Sequence, residues 1–241
     1  MLLIRSLLFE FLIYVWMVVL GIICFPFALY SREMSYGIMR FYCRSVFFLA
    51  RVILNLRVEI RGKVPTGPVI IASKHQSFLD VLMHFEAMPR ARFVIKRELR
   101  WIPIFGFYAL RIGSTPVARG KKGAAVKAMV NHVASEHVED GQLVIYPQGT
   151  RVAPDADMPY KVGAGVIYDR MGQVCIPAAA NTGYFWGRRA LKKRSGTAVI
   201  EYLEPVPQGL AISEFMSIIK DRVETASHKL LQEARDADGT R

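Results

Sequence analysis

The sequence predicts an α/β fold, a mixed sheet flanked by helices, with a membrane-associated helical segment in front of it. From residue 57 onward, short apolar runs of strand length alternate with longer segments of helical periodicity, which is the order that builds a sheet with helices on its faces. Ahead of them, nineteen consecutive residues carry no charge. The 241 residues suffice for one such domain and an appendage. We therefore divide the chain into N-terminal membrane-anchoring helices, residues 1–56, and an α/β domain, residues 57–241.

The uncharged run is Phe11–Leu29. As a single helix it would be about 28 Å long, close to the ~30 Å thickness of the hydrocarbon layer of a bilayer. Pro26 predicts a kink or an end within it. The run therefore predicts a membrane anchor, and both a single span and a helical hairpin that enters one leaflet fit it.

The next segment, Ser35–Asn55, combines apolar residues with a narrow basic stripe. On a helical wheel three arginines fall within about 40° of one another, namely Arg40, Arg44 and Arg51. This pattern is typical of a helix that lies in the membrane interface with its arginines toward the headgroups. A helix packed on the core with extended arginine side chains, or a second span, are the alternatives.

The α/β domain is predicted from its apolar runs and turn residues. The strand candidates are Val58–Ile60, Pro68–Ala72, Arg92–Ile95, Gly113–Val117, Leu143–Tyr146, Val174–Ala180 and Thr197–Leu203. Helices are predicted for Lys122–Asp140, which Gly141 ends, and from Ser213 to about Ala234, with a frayed tail after it.

A histidine and an aspartate follow the second predicted strand, at His75 and Asp80. On one continuous helix their side chains would point about 140° apart. The pair becomes reasonable if a helix begins between them, with Ser77 as its N-cap and Asp80 near the third helical position. Asp80 could then hold one imidazole nitrogen and leave the other free to accept a proton. Taken alone, the pair is explained as well by an aspartate that only caps a helix and a histidine on a surface loop.

Cationic residues after other predicted strands favour the functional interpretation. Gly149, Thr150 and Arg151 follow a short buried strand that Pro147 ends, and such a turn can present backbone N–H groups and a guanidinium to a phosphate. Lys96 and Arg119 follow two further strand candidates. In an α/β sheet these strand ends can converge on one side. Each cation alone could be a solvated surface charge.

In their order and spacing, these motifs resemble the 1-acyl-sn-glycerol-3-phosphate (lysophosphatidic acid) acyltransferase family. The resemblance covers about residues 57–205 and rests on five blocks: His75 to Asp80 (the HX4D motif), Lys96 to Leu99 with Pro103 and Gly106, Gly113 to Arg119, Tyr146 to Arg151, and Ile176-Pro177. Two positions depart from the family, which usually has Glu where this chain has Gln148 and often has Asp where it has Ala118. A glutamine cannot act as a base, so no essential proton transfer is expected at that position.

The resemblance implies a catalytic domain with a glycerolipid acyltransferase-like fold that makes phosphatidic acid in phospholipid biosynthesis. It implies that His75 and Asp80 are catalytic, and that Gly149, Thr150 and Arg151, with Arg119 and Lys96, bind the phosphate of lysophosphatidic acid. The acyl donor would be a thioester of coenzyme A or of acyl carrier protein, with no bound cofactor and no metal. Two alternatives stay open: an acyltransferase for another acceptor (a lysophospholipid, an acyl-amino-acid lipid or glycerol 3-phosphate), or a non-enzymatic membrane protein that binds anionic lipid.

Charge and cysteine content fit a protein at a membrane surface. Lys and Arg outnumber Asp and Glu by 32 to 20, a formal charge of +12, and Arg188, Arg189 and Lys192–Arg194 form one basic cluster. Such basicity suits anionic lipid better than nucleic acid here, because no nucleic-acid recognition motif accompanies it. Most basic residues follow the apolar run, which predicts a domain that faces the cytosol. The three cysteines are an odd number in apolar surroundings and are predicted to be buried thiols.

Overall fold

The computed structural model describes residues 1–117 and 141–239. The helices are α1 (Leu2–Ile23), α2 (Phe25–Tyr30), α3 (Arg32–Leu54), α4 (Leu79–Ala87), α5 (Phe105–Arg111), α6 (Gly163–Met171), α7 (Thr182–Phe185) and α8 (Ile212–Gly239), with a 3-10 turn at Arg97–Trp101. The strands are β1 (Leu56–Arg61), β2 (Val69–Ser73), β3 (Ala91–Lys96), β4 (Thr115–Val117), β5 (Gln142–Ile145), β6 (Cys175–Ala180) and β7 (Gly196–Tyr202). The helix predicted for Lys122–Asp140 lies outside the described residues.

The strands form one mixed sheet in the order β1-β7-β6-β2-β5-β3-β4. Strands β6, β2, β5, β3 and β4 run parallel to one another, whereas β7 is antiparallel to β6 and β1 is parallel to β7. The predicted mixed α/β sheet is confirmed, and each predicted strand of the described residues overlaps an observed one. Because five neighbouring strands share one direction, their carboxyl ends meet at one edge of the sheet.

Both faces of the sheet are covered, as the nearly uninterrupted apolar strands require. Along β2, Ile70 and Ala72 pack on the face that α6 and α8 cover, while Ile71 packs on the face that α1, α3 and α4 cover. This alternation follows the two-residue period of a strand. The apolar side chains on each face lose nearly all contact with water, which contributes about 1.5–3 kcal/mol for each fully buried Leu, Ile, Val or Phe. The sheet is therefore a rigid base for the loops at its edge.

The N-terminal apolar run is helical, but its bounds differ from the predicted ones. Helix α1 begins at Leu2 and ends at Ile23, and the chain bends at Cys24. Pro26 lies in the first turn of α2, where its missing N–H leaves no hydrogen bond unmade. Within the described ranges, α1 is the one helix long and apolar enough to cross a membrane. Glu10 lies within α1, and its carboxylate pairs with Lys193 Nζ at 2.6 Å.

The helices before β1 pack on the sheet. Phe9 and Ile13 of α1 and Val46 of α3 belong to the same buried cluster as Ile71 and Val144 of the sheet. The predicted basic stripe of α3 also contacts the domain. Arg40 donates to the backbone oxygen of Pro89, and Arg44 Nε lies 3.0 Å from Glu86 Oε1, both at the end of α4. For these two arginines the contacts favour the alternative of a helix packed on the domain, while the Arg44 side chain is still 68% exposed and the orientation of the stripe toward headgroups stays a prediction. The division of the chain at residue 56 stays a prediction.

At the other end of the chain, α8 is longer than predicted. It continues to Gly239 instead of ending near Ala234, so the expected frayed tail is still helical at Asp236. The contacts that hold its last turns include the hydrogen bond from Tyr184 Oη to Asp238 Oδ2 at 2.8 Å and the ion pair of Arg61 Nη1 with Glu233 Oε2 at 2.7 Å. Helix α8 thus crosses from the edge strand β1 toward the carboxyl ends of the central strands.

Candidate active site

The carboxyl-terminal edge of the sheet brings together the loops that follow β2, β5, β3 and β6. The loop after β2 carries His75, and the loop after β5 carries Tyr146 to Arg151. Lys96 is the last residue of β3, and Thr182 follows β6. The backbone N–H of Val152 donates to the carbonyl oxygen of His75 at 2.8 Å, so the loops after β2 and β5 are joined directly. Residues distant in the chain thereby form one site.

His75 and Asp80 form a hydrogen-bonded pair. Nδ1 of His75 lies 2.9 Å from Oδ1 of Asp80. The helix between them starts one residue later than predicted: α4 begins at Leu79, and Ser77 Oγ accepts from the N–H of Leu79 at 3.0 Å. Asp80 is therefore the second helical residue, and its Oδ2 accepts from the backbone N–H of Ser77 at 2.7 Å. The reciprocal capping leaves Oδ1 free for the imidazole.

The surroundings of Asp80 favour its ionised form. The side chain is fully buried, and burial alone would raise its pKa. Electrostatic attraction to the His75 ring, the hydrogen bond to it, and backbone N–H donors from Ser77 and Gln76 together outweigh burial and lower the pKa of Asp80 below its ordinary value. The hydroxyls of Tyr146 and Thr182 donate to it as well, at 3.2 and 3.3 Å. A fixed carboxylate of this kind sets the tautomer of the imidazole, with the proton on Nδ1.

His75 is positioned by stacking as well as by its hydrogen bond. Its ring lies over the ring of Tyr146, with 3.9 Å between centroids and 19° between planes. The histidine side chain is 13% exposed, and within the described residues its Nε2 has no hydrogen-bond partner. Burial and the neighbouring Asp80 carboxylate raise the pKa of Tyr146 well above its ordinary value, so it stays a neutral donor. The geometry gives an imidazole with one nitrogen held and the other free to take a proton.

A second histidine, His84, lies behind the site and has no predicted role. It is fully buried one helical turn after Asp80, with Nε2 at 2.8 Å from Ser73 Oγ and Nδ1 at 2.9 Å from Tyr202 Oη. Burial lowers the pKa of His84 to about 4, although the Asp80 carboxylate opposes this effect and the charge on His75 adds to it. A neutral imidazole with both nitrogens bonded thus ties β2 to α4 and β7.

We expect this buried histidine to make the fold sensitive to mild acid. An unfolded histidine titrates near pH ~6.5, so below that value the unfolded chain binds a proton that the folded chain does not. The contribution of His84 to the free energy of unfolding should therefore be complete above about pH 6.5. It should be lost as the pH drops toward about 4, by on the order of 3 kcal/mol in total. Asp80 contributes only at still lower pH, because its pKa is itself depressed.

The measurement is the thermal midpoint of the detergent-solubilised protein between pH 7 and pH 4. His84→Gln should lower the midpoint at pH 7 and flatten its dependence on pH. His228→Gln, an exposed histidine on α8, is the matched control and should keep the wild-type slope. A wild-type slope in His84→Gln would show that another group causes the acid sensitivity.

The turn from Gly149 to Arg151 is shaped by the backbone. Gly149 has φ +69°, a left-handed conformation that favours glycine, and a Cβ there would meet the side chain of Lys161. The N–H of Gly149 donates to Tyr146 O at 2.8 Å, and the N–H of Lys161 donates to Pro147 O at 2.9 Å. In the part of the chain that the structure describes, the guanidinium of Arg151 has no hydrogen bond or ion pair. It is therefore available to an anionic ligand.

The other cations that were predicted to bind phosphate differ from Arg151 in their surroundings. Lys96 is half exposed, and its Nζ lies 3.6 Å from Glu98 Oε2, a pair that solvent weakens. Arg119, with the departure at Ala118, lies outside the described residues. Two further cations adjoin the turn: Lys161 beside Gly149, and Arg188, whose Nη1 donates to Thr150 Oγ1 at 3.3 Å. Gln148 does not pair with Arg151; its Nε2 donates to the carboxylate of Glu224, at 3.4 Å from Oε1.

An apolar cavity adjoins the site. It measures about 100 Å³ and lies between the N-terminal helices and the sheet. Phe78, from the loop between His75 and Asp80, forms part of its wall together with Val81 of α4. The rest of the wall includes Met17 and Leu20 of α1 and Ala109 of α5. A polar reaction centre and an apolar enclosure thus share the same loop.

Comparison with known proteins identifies the class to which this site belongs. An acyltransferase family model matches residues 55–181, more than half of the chain, and the chain therefore belongs to the acyltransferase family. The match includes His75, Asp80 and the turn from Gly149 to Arg151. The resemblance inferred from the motifs is confirmed at this level.

Several similar proteins are named 1-acyl-sn-glycerol-3-phosphate acyltransferase. The 1-acyl-sn-glycerol-3-phosphate acyltransferase of Pseudomonas aeruginosa is 30% identical over 162 residues, which are 65% of this chain and 62% of the relative. The alpha enzyme of Homo sapiens is 28% identical over 179 residues, 72% of this chain and 63% of the relative. The chain thus spans less than two thirds of the length of these relatives. The crystal structure of the 1-acyl-sn-glycerophosphate acyltransferase of Thermotoga maritima has the same fold, with a TM-score of 0.78, 19% identity and 95% of each chain covered.

Several site residues were not predicted from the sequence. Tyr146 stood within a motif but had no assigned role, and its ring is the platform for His75. Thr182 and Arg188 come from the segment after β6, where the basic cluster was the only signal. Lys161 and Glu224 had no signal, because only the fold brings α8 and the start of α6 to this edge of the sheet.

Proposed function

We propose that the protein transfers a fatty acyl group from a thioester donor to the sn-2 hydroxyl of lysophosphatidic acid and so produces phosphatidic acid. The observation that carries this proposal is the direct link between two groups. One is a histidine held by a buried carboxylate, and the other is a glycine turn whose arginine has no ion pair among the residues that the structure describes. A base for a hydroxyl and a cation for a phosphate are what an acceptor carrying both groups requires.

The reaction proceeds by direct transfer. Nε2 of His75 takes the proton of the acceptor hydroxyl as that oxygen attacks the thioester carbonyl, and Asp80 stabilises the resulting imidazolium. The carbonyl oxygen becomes an oxyanion, for which local backbone N–H groups or Lys96 are the candidate donors. The carbon–sulfur bond then breaks, and the thiolate leaves with the proton from His75. No covalent acyl-enzyme and no bound cofactor takes part.

The acceptor is held by its phosphate. Arg151 forms a charge-assisted pair with it, and the backbone N–H of Thr150 donates to its oxygens, while Gly149 supplies the left-handed backbone that the turn around the phosphate requires. Lys161 and Arg188 border the same turn and add positive charge. Arg119 and Lys96 complete the proposed set. A phosphate bound at this turn, next to His75, would place the acceptor hydroxyl for attack and lower the entropic part of the activation barrier.

The donor is a thioester of coenzyme A or of acyl carrier protein, and its acyl chain enters the apolar cavity beside Phe78. The exposed apolar side chains of α1 support association with the membrane in which lysophosphatidic acid resides. Nucleic acid is not a partner in this proposal. The catalytic domain faces the cytosol, because the basic residues follow the apolar helix.

The cytosolic orientation predicts a labelling result. Lys192 is exposed in the basic cluster after α7, so Lys192→Cys offers a reactive thiol, whereas Cys43 and Cys175 are buried. A membrane-impermeant maleimide should leave Lys192→Cys unlabelled in intact cells and label it in lysed cells. The wild-type chain, treated in parallel, corrects for its own cysteines. Labelling in intact cells would place the domain on the outer side.

The acceptor is tested with a panel. Purified protein in detergent is given a labelled acyl-coenzyme A or acyl-acyl-carrier-protein with one of three acceptors: lysophosphatidic acid, lysophosphatidylcholine or glycerol 3-phosphate. The proposal expects phosphatidic acid to be by far the fastest product. A faster reaction with another acceptor would reassign the acceptor. Tight binding of anionic lipid without transfer to any acceptor would favour a non-enzymatic lipid-binding protein.

A further inference from the structure

A buried carboxylate on the C-terminal helix connects the two halves of the site. Glu224 of α8 is 14% exposed, and its two oxygens accept from three side chains. Lys74 Nζ lies 2.5 Å from Oε2, Tyr160 Oη lies 2.9 Å from Oε1, and Gln148 Nε2 lies 3.4 Å from Oε1. These donors come from three different segments.

Two of the donors stand next to residues of the site. Lys74 precedes His75 directly, and its backbone N–H donates to Ala178 O at 2.9 Å. Gln148 precedes Gly149 directly. The third donor, Tyr160, precedes Lys161, whose side chain lies against Gly149. Glu224 is therefore bonded to the residues that directly precede His75, Gly149 and Lys161.

The charge balance of this cluster depends on Glu224. Lys74 is 1% exposed, and in the described ranges Glu224 is the carboxylate that pairs with it. Gln148 is also 1% exposed, and its amide can donate a hydrogen bond but cannot neutralise an ammonium. A buried ammonium that loses its partner is strongly unfavourable, so the backbone beside it must move or admit water. Here that backbone continues into His75.

We propose that Glu224 is a positioning residue for the acyl transfer: through Lys74 it sets the place of His75, and through Gln148 and Tyr160 it sets the Gly149–Arg151 turn. Burial and the Glu224 carboxylate raise the pKa of Tyr160, so this tyrosine remains a donor. The proposal rests on the proposed function for its kinetic test. Its structural content, the coupling of α8 to His75, is independent of the acceptor.

The most direct test transfers the carboxylate from residue 224 to residue 148, its hydrogen-bond partner. Glu224→Gln removes the charge and leaves an amide of the same shape. The double variant Gln148→Glu/Glu224→Gln restores one carboxylate to the cluster, now on the other side of the Gln148–Glu224 hydrogen bond. Asp221→Asn, an exposed acid three residues earlier on α8, is the matched control. Each variant is assayed as the full chain in detergent for kcat, for the KM of lysophosphatidic acid and for its thermal midpoint.

Glu224→Gln should lower kcat on the order of 10²-fold, the scale expected when a reacting group is displaced by about 1 Å. The double variant should recover most of the loss, and Asp221→Asn should resemble the wild type. A lowered thermal midpoint with an unchanged kcat in Glu224→Gln would overturn the proposal, because it would leave Glu224 a stabilising role only. A double variant that is as slow as Glu224→Gln while folded would overturn it equally.

A third variant covers the case in which Glu224→Gln does not fold. Lys74→Met/Glu224→Leu replaces the ion pair by apolar side chains, an exchange that folds often tolerate. The proposal expects a folded protein with low kcat, and wild-type turnover in this variant would contradict it.

The imidazole signal of His75, measured by NMR on histidine-labelled protein, separates this proposal from the proposed function. The signal should shift in Glu224→Gln and return in the Gln148→Glu/Glu224→Gln variant, even if the wild type does not use lysophosphatidic acid. An unshifted signal in Glu224→Gln would refute the coupling.

Discussion

His75→Ala is expected to lower turnover by at least ~10²-fold, the scale of a general-base contribution, while the protein stays folded. Within residues 1–117 and 141–239, the ring of His75 makes one hydrogen bond, to Asp80, and one stacking contact, with Tyr146. His75 itself is not part of the hydrophobic core, and Asp80 keeps its donors from Ser77, Gln76, Tyr146 and Thr182. The variant therefore loses the proton acceptor without losing the arrangement of the loop.

The measurement is kcat with saturating donor and acceptor, together with the thermal midpoint. His228→Ala is the control, because this exposed histidine on α8 lies outside the site. A loss of activity with an unchanged midpoint would support the assignment of His75 as the base. Turnover near the wild-type value in a folded His75→Ala protein would remove the mechanism proposed here.

Arg151→Ala is expected to raise the KM for lysophosphatidic acid by about 10- to 10²-fold, which corresponds to the loss of one charged hydrogen bond of ~1.5–3 kcal/mol. Because Arg151 has no hydrogen bond or ion pair within the described residues, its removal should cost little stability. The KM for the acyl donor should change much less. Initial-rate kinetics with each substrate varied in turn would separate the two effects.

Arg170→Ala removes an exposed arginine from α6 and serves as the control for a change in overall charge. If Arg151→Ala weakened the donor and left the acceptor unchanged, the turn would belong to the donor site instead. If both KM values rose equally, the turn would have a role in the shape of the site and not in recognition of the phosphate.

The sheet could be predicted from the sequence because its strands are short apolar runs between turn residues, and both faces of such strands are buried. The order of the strands could not, since β7 inserts between β1 and β6 through contacts distant in the chain. At the N-terminus, the absence of charge suggested a helix from Phe11. The structure extends it to Leu2, because Arg5 and Glu10 are compatible with a helix, and Glu10 pairs with Lys193 Nζ at 2.6 Å.

The site residues also fall into two groups, those that local motifs predict and those that only the fold brings into place. The His75–Asp80 pair and the Gly149–Arg151 turn are local motifs, and their spacing contains enough information to predict the hydrogen bond between the first two. Tyr146, His84 and Glu224 are different, because each acts through a partner that only the fold supplies. A helical wheel of α3 predicts that Arg40 and Arg44 point in similar directions. It cannot predict that the end of α4 lies opposite them, because that contact depends on the fold.

The most direct test of acyl transfer follows the acyl group itself. The wild-type protein and His75→Ala are incubated with lysophosphatidic acid and a donor whose acyl chain carries ¹³C, and the lipid products are identified by mass and fragmentation. The account predicts phosphatidic acid with the labelled chain at the sn-2 position from the wild type, and almost none from His75→Ala. Labelled phosphatidic acid formed at equal rates by both proteins, or no labelled lipid from the folded wild type, would contradict it.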